Sequence, residues 1–403
     1  MSSPRTSPPC CRTSPTRDVS PVPARVDPPL ALLAELTHRC PLACPYCSNP
    51  VNLERAAGEL SEQDWRRVLA EAAALGVLQV HFSGGEPMAR RDLLGLIGAA
   101  NGLSLYSNLI TSGTLGGARE IEAFAKAGLK HVQLSFQDFY ADNGDRIAGL
   151  SGAHDRKTRF AAAVRAAGLP LTLNMVVHRQ NLDGVPQMIE MALQLGARRI
   201  EIAHVQYYAW AFTNRAALLP TRRQLDQATE AVEAARARLK GVLTIDYVVP
   251  DYHGVRPKSC MSGWGRQFIN VMPSGVAVPC HAAETLPGLA FPSVRTTSLA
   301  DIWYESDAFN RFRGTDWMAE PCRSCERREI DWGGCRCQAF LLAGDASRTD
   351  PVCTLSPDHG VVAAAVQEAE SLPPTFVYRR YSTPTSTRPS PAPSGEPNRL
   401  HPG

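Results

Sequence analysis

Features that the chain lacks exclude several classes of protein before any motif is considered. No apolar run approaches the roughly 20 residues of a membrane-spanning helix, and the first thirty residues contain no apolar core of a signal peptide. Neither sign of charge dominates, because the 403 residues carry a formal net charge of +3 and 44% of them are hydrophobic. We therefore expect a cytoplasmic globular protein with room for two domains, and neither a membrane nor nucleic acid as its partner.

Both ends of the chain are rich in proline and poor in residues that a core would bury. Residues 1–29 contain eight prolines, and residues 373–403 contain another eight. Segments of this composition cannot bury enough apolar surface to offset the entropy lost on ordering. We predict a disordered leader over 1–29, in which Cys10 and Cys11 have no role, and a disordered tail over 373–403.

The cysteines are grouped along the chain. Ten of the twelve fall between Cys40 and Cys47 or between Cys260 and Cys353. Because no export signal is visible, we expect a reducing compartment, where grouped cysteines bind metal more often than they form disulfides.

Strands alternate with helices from residue 30 to residue 240. The predicted strands are 31–36, 77–82, 103–109, 130–136, 171–177 and 199–205. The predicted helices are 61–75, 91–100, 118–127, 155–167, 185–195 and 222–240. This alternation predicts an α/β fold with a parallel sheet and right-handed crossovers. Because these units are two short of a closed eight-fold barrel, we expect a partial (β/α)6 barrel over 30–250, with a doubly wound sheet as the alternative.

The alternation ends near residue 249. Residues 255–355 are rich in cysteine, glycine, proline and tryptophan, and their apolar runs are short. Such a segment cannot build much of a core unaided, so we predict a second domain over 251–372 that bound metal stabilises. A helix at 361–371 is expected to close this domain.

A CxxxCxxC pattern, formed by Cys40, Cys44 and Cys47, follows the first predicted strand directly. Three thiolates on one short loop can hold three irons of a [4Fe–4S] cluster and leave the fourth iron open to another ligand. Structural zinc needs four protein ligands, and His38 is the candidate for the fourth. The spacing favours the iron–sulfur cluster over zinc.

A second motif, Gly-Gly-Glu-Pro, ends the second predicted strand. Glycines at the carboxyl end of a strand let a ligand meet bare backbone, although a tight turn would use the same residues. Together the two motifs resemble the radical S-adenosylmethionine (SAM) superfamily. In that family the three cysteines hold the cluster, and the open iron binds the amine and carboxylate of SAM. The resemblance implies that the methionine amine is held by Gly84, Gly85, Glu86 and Pro87.

The same resemblance implies further contacts with SAM. Tyr46 occupies the position of an aromatic ring near the adenine, with simple loop packing as its alternative role. Ser135 and Arg146 resemble residues that bind the ribose or the carboxylate of SAM, and a guanidinium fork suits a carboxylate. Asn108 and Asn174 lie at or near strand ends and are candidates for the same ligand. These last four residues have a structural polar role as their alternative.

The second predicted domain contains the other group of cysteines, namely Cys260, Cys280, Cys322, Cys325, Cys335, Cys337 and Cys353. Two zinc ribbons would account for these cysteines. Their order also resembles the SPASM domain, which binds two auxiliary iron–sulfur clusters in peptide-modifying radical SAM enzymes. Gly275, five residues before Cys280, fits that pattern.

Two positions depart from the usual SPASM pattern. Asp331 stands where a cysteine is expected, and Cys337 is an additional cysteine after Cys335. Both departures resemble the peptide cyclases of pyrroloquinoline quinone (PQQ) biosynthesis. One auxiliary cluster, [2Fe–2S] or [4Fe–4S], would then be held by Cys260, Cys280, Cys335 and Cys337. The other, a [4Fe–4S] cluster with one oxygen ligand, would be held by Cys322, Cys325, Asp331 and Cys353. Ala209 and Ser262 stand where that family leads us to expect glycine.

The resemblance to these cyclases also implies a reaction and its partners. A 5′-deoxyadenosyl radical would remove hydrogen from the γ-carbon of a glutamate in the precursor peptide PqqA. The γ-carbon would then bond to a tyrosine ring carbon ortho to the hydroxyl. The implied partners are PqqA, its carrier protein PqqD and a flavodoxin-like or other external reductant. The base stays unassigned, with His204 and Tyr207 as candidates on position.

Two other kinds of protein are kept as alternatives. One is a different SPASM-type maturase, which forms a thioether or oxidises a sulfatase residue. The other is a non-catalytic zinc or electron-transfer protein.

Overall fold

One sheet organises the computed structural model, which describes residues 26–248, 251–371 and 374–380. The strands of this sheet are β1 Ala31–Glu35, β2 Gln79–Ser83, β3 Tyr106–Thr111, β4 His131–Phe136, β5 Leu171–Val177, β6 Arg199–His204, β7 Thr244–Val248, β8 Phe268–Val271 and β9 Ala277–Val278. They lie in the order β7-β6-β5-β4-β3-β2-β1-β8-β9. Neighbouring strands are parallel, except that β8 and β9 are antiparallel.

Helices connect the parallel strands and cover the sheet. Those that precede β7 are α1 Glu62–Leu75, α2 Leu93–Gly102, α3 Ala118–Lys126, α4 Ala141–Ala148, α5 Ala153–Ala166, α6 Val185–Gln194, α7 Ala209–Thr213, α8 Arg215–Leu218 and α9 Arg222–Arg238. Those that follow β9 are α10 Leu299–Glu305, α11 Asp307–Asn310, α12 Arg328–Asp331, α13 Arg336–Ala343 and α14 His359–Glu368. The main core lies between the sheet and its helices, where Trp65, Phe82 and Phe160 are fully buried.

The predicted α/β class and its parallel sheet are confirmed. All six predicted strands are present, with ends within three residues of those expected. The sequence does not predict α4, since Asn143 and Gly144 weaken its helical pattern. Its packing instead depends on Ile147 and Ala148, which are both buried.

The sheet contains more parallel strands than the six that the sequence predicts. The seventh parallel strand, β7, is short and has Ile245 as its one buried residue, although most of its residues are of types that favour strands. Strand β8 lies beyond the predicted domain boundary at 250 and yet pairs in parallel with β1. The sheet therefore continues into the cysteine-rich segment, a long-range pairing that short apolar runs do not reveal.

Parts of the predicted leader and tail have defined positions. The carbonyl oxygen of Asp27 accepts a hydrogen bond from the Trp303 indole at 2.9 Å, and residues 374–380 pack on the cysteine loop. The prediction of disorder is therefore wrong for 26–29 and 374–380. Cys10, Cys11 and the rest of both segments lie outside the described residues. Across the described ranges, no helix has the length and apolar character needed to cross a membrane.

Ala209 and Ser262 adopt left-handed backbone conformations, with φ of 46° and 60°. These are the two positions where the family resemblance leads us to expect glycine. We predict that Ala209→Gly raises the free energy of unfolding by about 1 kcal/mol, because it removes the clash of Cβ in this conformation. Ala211→Gly, in the same helix, is the control and should lower it by about 1 kcal/mol. Chemical denaturation of the two variants tests the opposite signs, and a destabilised Ala209→Gly protein would refute the prediction.

Candidate active site

A cavity of about 430 Å³ opens at the carboxyl ends of the parallel strands. Six strands, β2 to β7, contribute residues to its wall, so the sheet curves around it as a partial barrel. Its size is that of an ordinary small-molecule site. The thiols of Cys40, Cys44 and Cys47 all line this cavity. The structure therefore brings the three cysteines of the first motif to the place where ligands of α/β barrels bind.

Burial makes the ionised form of these three thiols unfavourable. Burial raises the pKa of Cys40 to about 12 and that of Cys47 to about 11, and burial also raises the pKa of Cys44. Three thiolates would be costly here without a cation to bind them, and iron supplies that charge. The positive charges of Lys157 and Arg379 lower the pKa of Cys44 and so oppose the effect of burial.

The two glycines of the second motif are required by their closeness to the cysteine loop. A Cβ on Gly84, which has a φ of 128°, would lie 2.4 Å from the carbonyl oxygen of Thr37. A Cβ on Gly85 would lie 2.5 Å from that of Arg39. The amides of Gly85 and Glu86 donate to the Thr37 and Arg39 carbonyls at 2.5 and 2.7 Å. Both glycines line the cavity with bare backbone, as the motif predicts.

Glu86 supports this turn from behind. Its carboxylate is fully buried and accepts hydrogen bonds from the Thr111 hydroxyl and the Ser112 amide, each at 2.7 Å. It also accepts one from the Met88 amide at 3.0 Å. Glu86 and the buried Pro87 do not line the cavity, so their side chains shape the motif and leave ligand contact to the glycines.

Besides the two glycines, three further predicted SAM contacts line the cavity, namely Tyr46, Ser135 and Asn174. Asn174 is held in place by the carboxylate of Glu201, to which its amide donates at 2.9 Å. Behind Ser135, the buried Lys157 ammonium donates to the Ser135 carbonyl at 2.8 Å.

Two other predicted contacts lie elsewhere. The Asn108 side chain bridges His81 and His131, at 3.1 and 2.7 Å, and is absent from the cavity wall. Arg146 is exposed and hydrogen-bonds Asn143 and Gln180. The side chains of both residues are hydrogen-bonded to protein groups, and their contact with SAM stays a prediction.

The two candidate bases are separated by the structure. His204 lines the cavity, and its Nε2 lies 3.1 Å from the Tyr247 hydroxyl. Burial lowers the pKa of His204 to about 3, so its imidazole is neutral at physiological pH. Tyr207 lies outside the cavity wall and packs on Tyr252, with ring centroids 4.8 Å apart.

Two residues of the cavity wall were not predicted. Tyr208 and His281 line the cavity and hydrogen-bond each other through the Tyr208 hydroxyl and His281 Nε2. The other ring nitrogen of His281 lies 3.5 Å from a carboxylate oxygen of Glu35. His281 follows Cys280 directly, so this chain of contacts joins the cavity wall to the second group of cysteines. Its adjacency to Cys280 was the one signal in the sequence.

The thiols expected to hold the first auxiliary cluster meet around Cys335. Hydrogen bonds from Cys260 and Cys337 lower the pKa of Cys335 and raise the pKa of each donor. Cys280 is close enough for the charge of Cys335 to add to the effect of burial in raising its pKa to about 12. All four cysteines belong to one packed cluster of side chains.

Asp350 holds the loop that carries these thiols and was also not predicted. Its carboxylate accepts hydrogen bonds from the Cys335 amide at 2.8 Å, the Gln338 amide group at 2.9 Å and the Val352 amide at 3.0 Å. Burial raises the pKa of Asp350 to about 7. Nothing in the spacing of the cysteines points to this residue.

The four ligands expected for the second auxiliary cluster line one small cavity, formed in part by Cys322, Cys325, Asp331 and Cys353. Asp331 lies at the end of α12 and is 7% exposed. One oxygen accepts a hydrogen bond from the Gly333 amide at 3.2 Å, and the other lies 3.4 Å from Arg327 Nε. The aspartate and the three cysteines thus line the same cavity, and their role as cluster ligands stays a prediction.

The position of His38 does not support a zinc site in which this residue is the fourth ligand. His38 is buried and does not line the cavity of the three cysteines. Its Nδ1 accepts a hydrogen bond from the Glu54 amide at 2.7 Å, and its Nε2 lies 4.0 Å from a carboxylate oxygen of Glu35.

Comparison with known proteins agrees with this arrangement of sites. The family described as the radical SAM superfamily matches residues 34–192, and an iron–sulfur cluster-binding domain, SPASM, matches residues 260–326. The protein is therefore a radical SAM enzyme with a SPASM domain. It belongs to the PqqA peptide cyclase family. It is 61% identical to the PqqA peptide cyclase of Granulibacter bethesdensis. The 355 aligned residues cover 88% of this chain and 95% of that relative.

Solved structures show the same fold at low sequence identity. Streptococcus suis SuiB bound to S-adenosylmethionine matches with a TM-score of 0.69 and 21% identity, over 82% of this chain and 78% of that one. SuiB bound to the precursor peptide SuiA matches with a TM-score of 0.68 and 20% identity, over 82% and 77% of the two chains. These matches confirm the fold expected of a radical SAM enzyme with a SPASM domain.

Gly85 gives a direct test of the close approach. We predict that Gly85→Ala slows SAM cleavage about 100-fold, because the new Cβ would displace the backbone of the cysteine loop. Gly98→Ala is the control, since a Cβ there meets nothing within 4 Å. Iron content and the rate of SAM cleavage are measured for both variants, and normal cleavage by Gly85→Ala would contradict the prediction.

Proposed function

We propose that this enzyme joins the γ-carbon of a glutamate to a tyrosine ring carbon, ortho to the hydroxyl, within the precursor peptide PqqA. This would be the first step of PQQ biosynthesis. The observation that carries the proposal is the single cavity in which Cys40, Cys44 and Cys47 meet the bare backbone of Gly84 and Gly85. The name and high identity of the relative from Granulibacter bethesdensis support the choice of peptide.

The three groups of ligands define three cluster sites in this proposal. Cys40, Cys44 and Cys47 would hold a [4Fe–4S] cluster with one open iron. The first auxiliary cluster, of two or four irons, would be held by Cys260, Cys280, Cys335 and Cys337. The second auxiliary cluster, of four irons, would be held by Cys322, Cys325, Asp331 and Cys353. The burial of these thiols and their mutual contacts support this division.

The reaction breaks two C–H bonds of the peptide and forms one C–C bond. When bound, the clusters and SAM supply a 5′-deoxyadenosyl radical and an acceptor for one electron. One hydrogen atom leaves the glutamate γ-carbon, and the tyrosine ring loses one proton and one electron. The peptide therefore becomes lighter by two hydrogens.

Residues of the cavity wall orient the reactants. Gly84 and Gly85 expose backbone groups to the methionine end of SAM, and Tyr46 lies where the adenine is expected. Glu201 fixes the amide of Asn174 and also accepts a hydrogen bond from Gln133 at 3.2 Å, so these polar groups are preorganised. Burial raises the pKa of Tyr208 well above its usual value, which keeps its hydroxyl protonated beside the substrate.

The proton acceptor stays unassigned. His204 is the remaining positional candidate, because it lines the cavity and its Nδ1 has no hydrogen-bond partner in the described part of the chain. Its low pKa limits how well it can take a proton. Tyr207 has no access to the cavity wall and drops out as a candidate.

Three partners belong to the proposal. PqqA is the substrate, PqqD is its carrier, and a flavodoxin-like or other external protein supplies the electron that starts the reaction. A second SPASM-type activity, thioether formation or sulfatase maturation, is disfavoured because Asp331 converges with three cysteines as in the PQQ peptide cyclases.

The activity is tested with the anaerobically reconstituted enzyme, SAM, reductant, PqqA and PqqD. We expect PqqA to lose the mass of two hydrogens and to gain a crosslink between its glutamate and tyrosine, as read by tandem mass spectrometry. A PqqA in which phenylalanine replaces the tyrosine is the control and should stay unmodified. SAM cleavage without any change in the mass of PqqA would rule out this substrate.

Asp331 gives a separate test of the second auxiliary site. We predict that Asp331→Cys changes the electron paramagnetic resonance spectrum of that cluster, because a thiolate replaces a harder oxygen ligand. Asp331→Ala should lower crosslinking at least about tenfold through loss of the ligand. Glu329→Gln, on the same helix and exposed, should leave both the spectrum and the activity unchanged. An unaltered spectrum in Asp331→Cys would show that Asp331 is not a ligand.

A further inference from the structure

The segment 374–380, here called the C-terminal strap, lies across the cysteine loop, here residues 38–47. It follows α14 in a stretch whose composition predicts disorder, yet hydrogen bonds attach it to the loop and to the helices beside it. The loop itself carries all three predicted cluster ligands. The contacts of the strap therefore bear on the geometry of the proposed cluster site.

Arg379 makes the densest set of these contacts. Its side chain is 6% exposed, and Nη1 donates to the carbonyl oxygen of His38 at 3.2 Å. Its Nη2 donates to the carbonyl oxygens of Cys40 at 3.2 Å and Leu42 at 2.8 Å. The backbone amide of Arg379 donates to the Ala43 carbonyl at 3.0 Å. One residue thus binds four carbonyl groups of the loop, and its side chain also lines the cavity.

Asn214 holds the strap and the loop together from the other side. Its side-chain amide donates to the carbonyl oxygens of Pro45 at 2.9 Å and Val377 at 2.8 Å. Its side-chain oxygen accepts from the Val377 amide at 2.7 Å. Asn214 is 3% exposed. Asn214 is buried and hydrogen-bonds both the loop and the strap, so it fixes the distance between them.

Aromatic contacts extend the strap toward the predicted adenine position. The ring of Phe376 packs edge-on to His178 at 5.9 Å, and His178 lies 5.5 Å from the ring of Tyr46. The guanidinium of Arg146 lies over the face of Phe376 at 5.1 Å, and the hydroxyl of Tyr378 donates to the Arg146 carbonyl. Arg146 thus contacts the strap through both its side chain and its backbone.

The positive charge of Arg379 is buried beside the loop that carries the three thiols. Its Nη2 lies 3.2 Å from the carbonyl oxygen of Cys40. Its side chain also lines the same cavity as Cys40, Cys44 and Cys47. The same positive charge would favour the more negative, reduced state of a cluster held by these thiolates.

We propose that the C-terminal strap is part of the active site, and that Arg379 is a positioning residue that holds the cysteine loop and raises the reduction potential of its cluster. The inference rests on the proposed assignment of Cys40, Cys44 and Cys47 as cluster ligands. Arg379 acts through the loop carbonyls and through its charge.

The two contributions can be separated by substitution. Arg379→Lys keeps the positive charge but loses the fork that reaches several carbonyls at once. Arg379→Gln removes the charge and keeps one amide donor. We expect Arg379→Gln to shift the potential of the SAM-binding cluster to a more negative value, while Arg379→Lys shifts it less. Both variants should speed hydrogen exchange of the loop amides about tenfold or more, since the loop loses hydrogen bonds.

Arg380→Gln is the matched control, because Arg380 is the exposed neighbour of Arg379. A pair of truncations tests the strap as a whole. A chain that ends at residue 380 keeps the strap, and one that ends at residue 371 lacks it. The second should bind SAM more weakly and show the same negative shift in potential, and the first should match the full chain. The auxiliary clusters, whose ligands lie outside the loop, report whether each variant is folded.

The outcomes distinguish this inference from the proposed function. An unchanged cluster potential in Arg379→Gln, with auxiliary-cluster signals intact, overturns the electrostatic role. Unchanged loop exchange in both Arg379 variants overturns the positioning role. Normal SAM affinity and potential in the chain that ends at residue 371 overturn the role of the strap, while the full chain still cleaves SAM. Failure of the full chain to bind a cluster at the loop overturns the proposed function and this inference with it.

Discussion

The site depends on one close approach between two backbones. The Gly84–Gly85 turn contacts the chain at residues 37–39 so closely that any side chain at either glycine would collide with a carbonyl oxygen. This contact aligns the proposed cluster ligands with the backbone that would receive SAM. Glu86 stabilises the turn from the core by accepting four hydrogen bonds, and the C-terminal strap holds the opposite side of the loop. The loop is thus held on both sides before any cofactor binds.

Burial and nearby positive charge have opposite effects on the thiols of the first cysteine motif. Burial makes an isolated thiolate unfavourable, and the few cationic side chains beside the thiols oppose this effect. At the first auxiliary site Asp350 adds a buried carboxyl group, whose pKa burial raises to about 7. Burial also keeps the neighbouring His204 and Tyr208 side chains neutral. We therefore expect the charged groups of this region to lie mainly at the proposed clusters.

Sequence reasoning succeeded where spacing along the chain carries the chemistry. The first three cysteines, the glycine pair and the six strands of strong pattern are all found where predicted. It failed where function depends on side chains brought together from distant segments. Tyr208 and His281, 73 residues apart, meet at the cavity wall, and neither belongs to a spaced motif. Asn108 and Arg146 stand at plausible positions, but their side chains are bound by other protein groups. Arg379 was hidden by the proline-rich composition around it.

The pairing of β8 with β1 has a consequence for how the enzyme can be divided or recombined. Residues 268–271 come from the cysteine-rich segment and complete the sheet beside the strand that leads into the cysteine loop. A barrel cut at residue 250 would expose the edge of β1, which invites aggregation through unpaired backbone groups. A chimaera that exchanges auxiliary domains between peptide-modifying enzymes should therefore exchange β8 together with its partner strand, or leave both in place. The natural unit of exchange is larger than the cysteine pattern suggests.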